Sequence, residues 1–194
     1  MSETTFAFSP ANQERARHVM AKYPAGRQKS AVIALLDLAQ RQNGGWLSQA
    51  AVDHVATVLG MAPIRVYEVA SFYTMFNLKP VGRHLVQVCT TTPCWLRGSD
   101  QVLGACRKKL GVDVGGTTAD GAFTLVEVEC LGACVNAPVV QVGDDYYEDL
   151  DVASTERLLD DLAHDRASAP GPRVGRKTSA PVHGRATLLD GKNR

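Results

Sequence analysis

The sequence lacks any apolar run approaching the ~20 residues of a membrane-spanning helix. It also lacks an excess of charge, because 21 Lys and Arg residues face 20 Asp and Glu residues, for a formal net charge of +1. Nucleic-acid binding normally needs a clear basic excess, so nucleic acid is not an expected partner. The opening residues, MSETTFAFSP, contain neither a basic residue nor an apolar segment. We therefore expect neither a secretory signal nor direct membrane insertion.

Two common redox motifs are also missing. No Gly-x-Gly-x-x-Gly follows a predicted strand, so the fingerprint of nicotinamide dinucleotide binding is absent. No Cys-x-x-Cys is present, which argues against thioredoxin-type dithiol chemistry. No paired carboxylates and no nucleophile with an adjacent base stand out. We therefore expect no catalytic residue on this chain.

The 194 residues, 45% of them apolar, are sufficient for one large or two small domains. Charge is distributed unevenly along the chain, because residues 166–194 contain seven basic residues and a single acidic residue, Asp190. This tail, net +6 on a body of net −5, is rich in Pro and Gly and has no periodicity. We expect it to extend along an acidic partner. The predicted organisation is a helical lobe over 1–80, an α/β domain over 81–165 and the tail.

Helical spacing dominates the first 80 residues. Ser9-Pro10 combines a capping residue with a proline at the first helical position, Ser48 can cap another helix, and Pro63 can begin a further one. Apolar residues recur at helical spacing between these signals, notably over 31–39 and 52–59. The pattern predicts an N-terminal helical bundle.

After the first 80 residues, the spacing of apolar residues changes from the period of helices to the period of strands. Alternation predicts strands over 84–89 and 123–129, separated by a helix over 99–110. Two more strands are expected around the turn at 143–145, and a closing helix over 155–165. The order βαβ, then ββ, then α fits a small thioredoxin-like α/β domain.

Four of the five cysteines form two close pairs, Cys89-x4-Cys94 and Cys130-x3-Cys134. Each pair begins at or just after the end of a predicted strand. If those strands are parallel neighbours, both pairs emerge at the same edge of the sheet, where open α/β sheets place ligands. Thiolates favour iron–sulfur clusters, zinc or Cu(I). Two pairs from separate loops suit a centre with two irons, each held by one pair.

Other uses of these cysteines fit less well, although structural zinc and a disulfide remain open. A plant-type ferredoxin would need a third cysteine at the position of Arg97. A Rieske centre needs two histidines, and only His84 is near, on the strand face opposite Cys89. The fifth cysteine, Cys106, lies on the apolar stripe of a predicted helix and is expected to be a small buried hydrophobic residue.

The residues around the pairs suit an anionic centre. A helix opening at Gly98 would offer free amides after the first pair, and Gly132 allows the main chain to turn N–H groups toward the thiolates. Trp95 either shields the site from water or lies at the surface. The acids Glu127 and Glu129 would disfavour the addition of an electron and so lower the midpoint potential of the centre.

Two stretches carry a family resemblance: CTTTPCWLRG at 89–98 and VECLGACVNAP at 128–138. Both resemble the thioredoxin-like [2Fe-2S] ferredoxin family, and within it the E subunits of NADH-quinone oxidoreductase, also called respiratory complex I. Further similar segments extend the resemblance over roughly residues 15–176, including EVASFYTMF at 68–76, YYEDL at 146–150 and GPRVGR at 171–176.

The resemblance implies a [2Fe-2S] cluster on Cys89, Cys94, Cys130 and Cys134. The implied protein is an electron-transfer subunit of a proton-translocating NADH:quinone oxidoreductase. Its cluster would exchange single electrons with FMN on the neighbouring subunit, which also binds NADH, and a large iron–sulfur subunit would be adjacent. The alternative is the equivalent diaphorase subunit of an NAD-dependent formate dehydrogenase or NAD-reducing hydrogenase. The expected location is a peripheral arm on the cytoplasmic face of the bacterial inner membrane, or on the matrix side in mitochondria.

Overall fold

The structure, a computed structural model, describes residues 5–184. The chain divides into two compact units, Met1–Val81 and Gly82–Arg194, each with its own core. The first unit is helical, and the second combines helices with a five-stranded sheet. The predicted fold class, a helical bundle followed by a thioredoxin-like α/β domain, is confirmed.

Within its described residues, 5–81, the helical unit contains four α-helices and one 3-10 helix: α1 (Pro10–Met20), the 3-10 helix (Gln28–Ala31), α2 (Val32–Gln42), α3 (Gln49–Leu59) and α4 (Pro63–Phe72). The capping predictions are confirmed. The Ser9 hydroxyl accepts from the amide of Asn12, and the Ser48 hydroxyl accepts from the amide of Ala51. Each cap satisfies one of the amides that the first helical turn leaves unpaired.

The core of the helical unit comes from the apolar stripes of its helices. Its fully buried side chains include Leu35, Leu36, Val52, Val55 and Val66. No single helix within residues 5–184 is long and apolar enough to cross a bilayer. The helices Gln49–Leu59 and Pro63–Phe72 together have the length and composition of a membrane span, but the chain bends by 120° between them.

The second unit is built from β1 (His84–Cys89), α5 (Thr92–Leu96), α6 (Ser99–Leu110), β2 (Phe123–Val128), the 3-10 helix Cys134–Asn136, β3 (Val140–Val142), β4 (Asp145–Glu148), α7 (Val152–Ala163) and β5 (Gly171–Pro172). The strand order is β2-β1-β3-β4-β5. β1 is parallel to β2 and antiparallel to β3, and β4 is antiparallel to β3. β1 and α6 have the predicted bounds, whereas α5 was not predicted.

The two faces of β1 serve different purposes. Val86 and Val88 are fully buried in the core that the sheet forms with α6 and α7. The opposite face ends at Cys89, which packs with Cys94 and Val139 in a separate small cluster. Period-2 alternation thus directs apolar side chains into the core and one thiol to the other side.

Part of the basic tail lies against the chain itself. β5 pairs in parallel with β4, with Gly171 opposite Tyr147 and Pro172 opposite Glu148. The amide of Arg173 donates to the carbonyl of Glu148 at 2.9 Å. Residues 185–194 lie outside the described part of the chain. Extension of the tail along a partner remains a prediction.

Candidate metal centre

Four of the cysteines lie in two loops that leave the sheet at the same edge. β1 and β2 are parallel neighbours, and Cys89, the last residue of β1, lies opposite Val128, the last residue of β2. The first loop continues into α5, which carries Cys94, and the second contains Cys130 and Cys134. α5 packs against the 3-10 helix Cys134–Asn136, which brings the two loops together. All five cysteines of the chain are free thiols.

The first pair is buried. Cys89 is 1% exposed and Cys94 is 2% exposed, and Ala137 and Val139 complete their cluster. The Sγ atom of Cys89 lies 3.3 Å from the hydroxyl oxygen of Thr91. A buried thiol pair of this kind is protected from solvent while it retains polar contacts.

The two buried thiols differ in acidity. Burial opposes ionisation of Cys89, but hydrogen bonds from the Thr91 hydroxyl and from the amides of Leu131 and Thr91 bring its pKa below the ordinary value. Burial, reinforced by the hydrogen bond with Cys89, raises the pKa of Cys94 to about 12. Of the pair, Cys89 ionises first.

The second pair is exposed. The Sγ atoms of Cys130 and Cys134 are 3.3 Å apart, and the amide of Gly132 donates to the Sγ of Cys130 at 3.4 Å. That amide is the main cause of the lowered pKa of Cys130, whereas the hydrogen bond with Cys130 raises the pKa of Cys134. Gly132 has φ +82°, a conformation that glycine adopts without strain, and it directs its N–H at a thiol as predicted.

The two pairs interact electrostatically. The charge of Cys89 affects the ionisation of both Cys130 and Cys134, and Cys134 also affects Cys94. The Thr91 hydroxyl, 3.3 Å from the Sγ of Cys89, also lowers the pKa of Cys130 in the other pair. Within residues 5–184, no group of three or more His, Cys, Asp and Glu side chains is arranged to hold a metal ion. The structure therefore shows two thiol pairs, one buried and one exposed, at one edge of the sheet.

The other candidate residues occupy different places. Gly98 opens α6 as predicted, but the backbone amide at hydrogen-bond distance from a thiol is that of Gly132. His84 begins β1, and its ring lies 5.2 Å from that of Phe123, as expected for a packed histidine. Cys106 is fully buried in the core of the second unit, as predicted, and burial raises its pKa to about 12.

The surface around the exposed pair is apolar. Trp95 is 61% exposed, Leu96 is 70% exposed and Val135 is 69% exposed. Trp95 therefore lies at the surface, the second of its two interpretations. Glu127 and Glu129 are also exposed, and the Thr90 hydroxyl donates to Glu127. The site thus combines a buried thiol pair, an exposed pair and an apolar rim.

Two residues that the sequence did not indicate support the second loop. The Tyr146 hydroxyl donates to the carbonyl of Leu131 at 2.9 Å, and the Arg176 guanidinium donates to the carbonyl of Val135 at 3.0 Å. Both residues lie in segments that carried the family resemblance, YYEDL and GPRVGR, but the motifs alone gave them no role. Each bond reaches the residue that directly follows a cysteine of the exposed pair.

Comparison with known proteins identifies the family of the chain. The family model of the thioredoxin-like [2Fe-2S] ferredoxins matches residues 16–163. The chain is 54% identical over 187 residues to mitochondrial NADH dehydrogenase (ubiquinone) flavoprotein 2 of Dictyostelium discoideum, covering 96% of this chain and 76% of that protein. It is 58% identical over 162 residues to the E subunit of NADH-quinone oxidoreductase from Rickettsia conorii, covering 84% of this chain and 97% of that protein.

Solved structures share the fold. A chain of an NAD+-reducing [NiFe]-hydrogenase in the air-oxidised state superposes with a TM-score of 0.61 at 20% identity, over 70% of this chain. The match spans 23% of that hydrogenase chain, and at this identity it establishes the fold alone.

The fold and the site together define a thioredoxin-like α/β domain that presents paired thiols at one sheet edge and is preceded by a helical unit. The chain belongs to the thioredoxin-like [2Fe-2S] ferredoxin family. The resemblance that the sequence showed is thereby confirmed.

The donor set fits the cluster that gives the family its name. Four thiols are the ligands that a [2Fe-2S] cluster needs, and they are soft donors suited to iron–sulfur chemistry. The amide of Gly132 already points at one of them, as hydrogen-bond donors around cluster sulfurs do. When bound, such a cluster accepts and releases one electron at a time, while the protein supplies its position and its electrostatic surroundings.

Proposed function

We propose that this chain is the electron-transfer subunit of an NADH:quinone oxidoreductase of the complex I type. Cys89, Cys94, Cys130 and Cys134 hold a [2Fe-2S] cluster, and the chain itself contributes no residue that contacts a substrate. The observation that carries the proposal is the gathering of four free thiols at one sheet edge by two parallel strands. Relatives at 54% and 58% identity, an NADH dehydrogenase flavoprotein and an NADH-quinone oxidoreductase subunit, support the same host complex.

The arrangement of the pairs suits electron exchange with another protein. The buried pair anchors one side of the centre in the domain, and the exposed pair brings the other side to the surface. The apolar rim of Trp95, Leu96 and Val135 offers a surface that a partner can cover and so exclude water. We propose that the partner is the subunit that binds FMN and oxidises NADH, with the large iron–sulfur subunit adjacent.

Three further parts of the proposal follow from this assembly. The chain would lie in a peripheral arm, on the cytoplasmic face of a bacterial inner membrane or on the matrix side in mitochondria. Arg166, Arg173 and Arg176 of the tail bond within the chain, and the other basic residues of the tail would contact an acidic surface of a neighbouring subunit. The domain organisation would be the helical lobe over 1–80, the cluster domain over 81–165 and the tail over 166–194. The diaphorase subunit of a formate dehydrogenase or hydrogenase remains the alternative.

The test begins with the chain purified together with its neighbours. In this chain, once it is separated from those neighbours, we expect about two iron and two acid-labile sulfide ions, and a rhombic electron paramagnetic resonance signal after reduction with dithionite. Zinc without that signal would refute the proposal in favour of a structural metal module. The chains that co-purify separate the hosts: membrane subunits that reduce quinone support complex I, whereas a molybdenum or nickel subunit supports the alternative.

A further inference from the structure

The C-terminal strap, residues 171–178, returns to the loop that carries Cys134. It begins as β5 beside β4, and the Arg173 guanidinium lies 5.1 Å from the centre of the Tyr147 ring. Beyond β5 it reaches the backbone just after the exposed thiol pair. The strap is therefore connected to the candidate metal centre within a single chain.

Arg176 makes the main contact. Its Nε donates to Oδ2 of Asp149 at 2.8 Å and its Nη2 donates to Oδ1, so the guanidinium and the carboxylate form two parallel hydrogen bonds. The same Nη2 donates to the carbonyl of Val135 at 3.0 Å. Val135 directly follows Cys134. The Arg176 side chain therefore connects the cysteine loop to Asp149, which lies in the YYEDL segment before α7.

A second connection acts on the next residue along the loop. The side-chain amide of Asn136 donates to the carbonyl of Thr178 at 3.1 Å and to the carboxylate of Glu148. The carbonyl of Asn136 accepts from the amide of Asp149 at 2.7 Å. The two residues that follow Cys134 are thus both bonded to the strap, and one of them also to its anchor Asp149.

Burial distinguishes Arg176 from the arginines in exposed ion pairs. The Arg176 and Asp149 side chains are only 6% and 7% exposed, whereas those of Arg166 and Asp161 are 53% and 32% exposed. Exposed pairs contribute little, but removal of one partner from a buried pair leaves an uncompensated charge. Asp149 also has φ +54°, which is uncommon outside glycine and is maintained here by the bonds to its amide and carboxylate.

We propose that Arg176 is a positioning residue for Cys134, and that the strap thereby controls how long the chain retains its metal centre. Cys134 and the following Val135 are both exposed, so their own burial does little to hold the thiol in place. Without the strap, the Val135 carbonyl loses its bond from Arg176 and the Asn136 side chain loses its bond to the Thr178 carbonyl. The thiol then separates from the metal more often, and a competing chelator removes the metal faster. This proposal rests on the proposed cluster.

The test compares Arg176→Met and Arg176→Lys with the wild type, each as the full chain loaded with its cluster. Lys preserves the charge but cannot form two parallel bonds and still reach the Val135 carbonyl. Arg166→Lys makes the same change in an exposed pair and is the matched control. Loss of cluster absorbance is followed under excess chelator, and alkylation of each cysteine is followed by mass spectrometry in the same samples.

We expect cluster loss to be about tenfold faster in Arg176→Met, which corresponds to about 1.4 kcal/mol in the barrier, and intermediate in Arg176→Lys. Alkylation of Cys134 should accelerate in parallel. Cys106 is fully buried in the core and reports global unfolding, so its alkylation should not change. Should Arg176→Met fail to fold, Arg176→Lys carries the test.

Three distinguishable results would overturn either the positioning role of Arg176 or the proposed cluster on which it rests. Cluster loss at the wild-type rate in both Arg176 variants would exclude a positioning role. Faster alkylation of Cys106 together with Cys134 would show that Arg176 stabilises the whole domain rather than the loop. A wild-type chain without iron would refute the proposed cluster itself.

Discussion

Cys89 and Val128 lie directly opposite each other at the end of the parallel β1–β2 pair. Cys130 follows Val128 by two residues, so it leaves the sheet beside Cys89 although 40 residues lie between the two in sequence. The register of two strands therefore determines whether the four thiols meet. A shift by one residue would also turn Cys89 to the opposite face of the sheet.

The first prediction concerns the assignment of the four thiols. Replacement of Cys89, Cys94, Cys130 or Cys134 by Ala, one at a time, should abolish or strongly lower the iron and sulfide content of the purified chain, because one of the two irons would lose a ligand. Cys106→Ala should retain the wild-type content, since Cys106 lies in the core. Retention of the full content after loss of any one of the four would disprove that assignment.

The second prediction concerns the backbone around the exposed pair. Gly132→Ala should lower the midpoint of thermal unfolding by about 2–4 °C, because a residue with a Cβ is strained by about 1 kcal/mol at φ +82°. It should also speed the release of iron to a chelator, because the strained backbone no longer holds its N–H on the Cys130 thiol.

Gly143→Ala is the matched control for this substitution. Gly143 also has a positive φ, +62°, and open space where a Cβ would lie, but it is in the β3–β4 turn at the opposite edge of the sheet. We expect a similar thermal shift with unchanged iron release. Equal release from the two variants would contradict a specific role for the Gly132 amide.

The third prediction concerns Glu127 and Glu129. Replacing both by Gln should raise the midpoint potential of the cluster by on the order of 20 mV, because two negative charges near an electron acceptor make the added electron less favourable and water screens exposed charges strongly. A potentiometric titration followed by electron paramagnetic resonance measures the change. Asp145→Asn removes an exposed acid at the other edge of the sheet and should have a smaller effect. An unchanged potential in the double variant would disprove the hypothesis.

The fourth prediction concerns the start of α7. The carboxylate of Asp151 accepts from the amide of Ser154 at 2.7 Å, and the Ser154 hydroxyl accepts from the amide of Asp151 at 2.9 Å, which forms a reciprocal cap. Asp151→Ala should cost about 1 kcal/mol of stability, whereas Asp151→Asn retains an accepting oxygen and should cost less. Thermal unfolding of the loaded chain followed by circular dichroism measures both.

The pH dependence of this cap has a definite sign. Hydrogen bonds from the Ser154 hydroxyl and then from its amide lower the pKa of Asp151 below its ordinary value of 3.8. The stabilisation is therefore complete above the ordinary pKa and is lost only as the pH falls through the lowered folded-state pKa. The difference between the wild type and Asp151→Ala should stay constant between about pH 8 and pH 5. A difference that shrinks over that interval would contradict the lowered pKa.

Much of the fold could be predicted because its signals are local. Ser9 and Ser48 cap the helices that follow them, and β1 and α6 have the bounds that apolar periodicity indicates. β2 and α7 were also predicted, with differences of one to three residues at their ends. These elements depend on caps, glycines and periodicity within a few residues of each end, which a sequence displays directly.

The features that could not be predicted are short elements or contacts between residues distant in sequence. α5 has only five residues and was too short to show periodicity. β5 has two residues and exists because β4 lies beside it. The buried contact between Arg176 and Asp149 joins residues 27 apart, and charge counting alone assigned that arginine to a partner. Nothing in the neighbouring residues indicates that an intramolecular acid would receive it.

Arg176 follows all four thiols in the sequence, which has a consequence for biosynthesis. Translation proceeds from the N-terminus, so the four thiols and Val135 emerge from the ribosome before Arg176. Under the proposed role of Arg176, the nascent chain first exposes the loop after Cys134 in a looser state, accessible to whatever delivers iron and sulfide. The segment that contains Arg176 then fastens that loop, and a chain cut short before Arg176 would never complete the step.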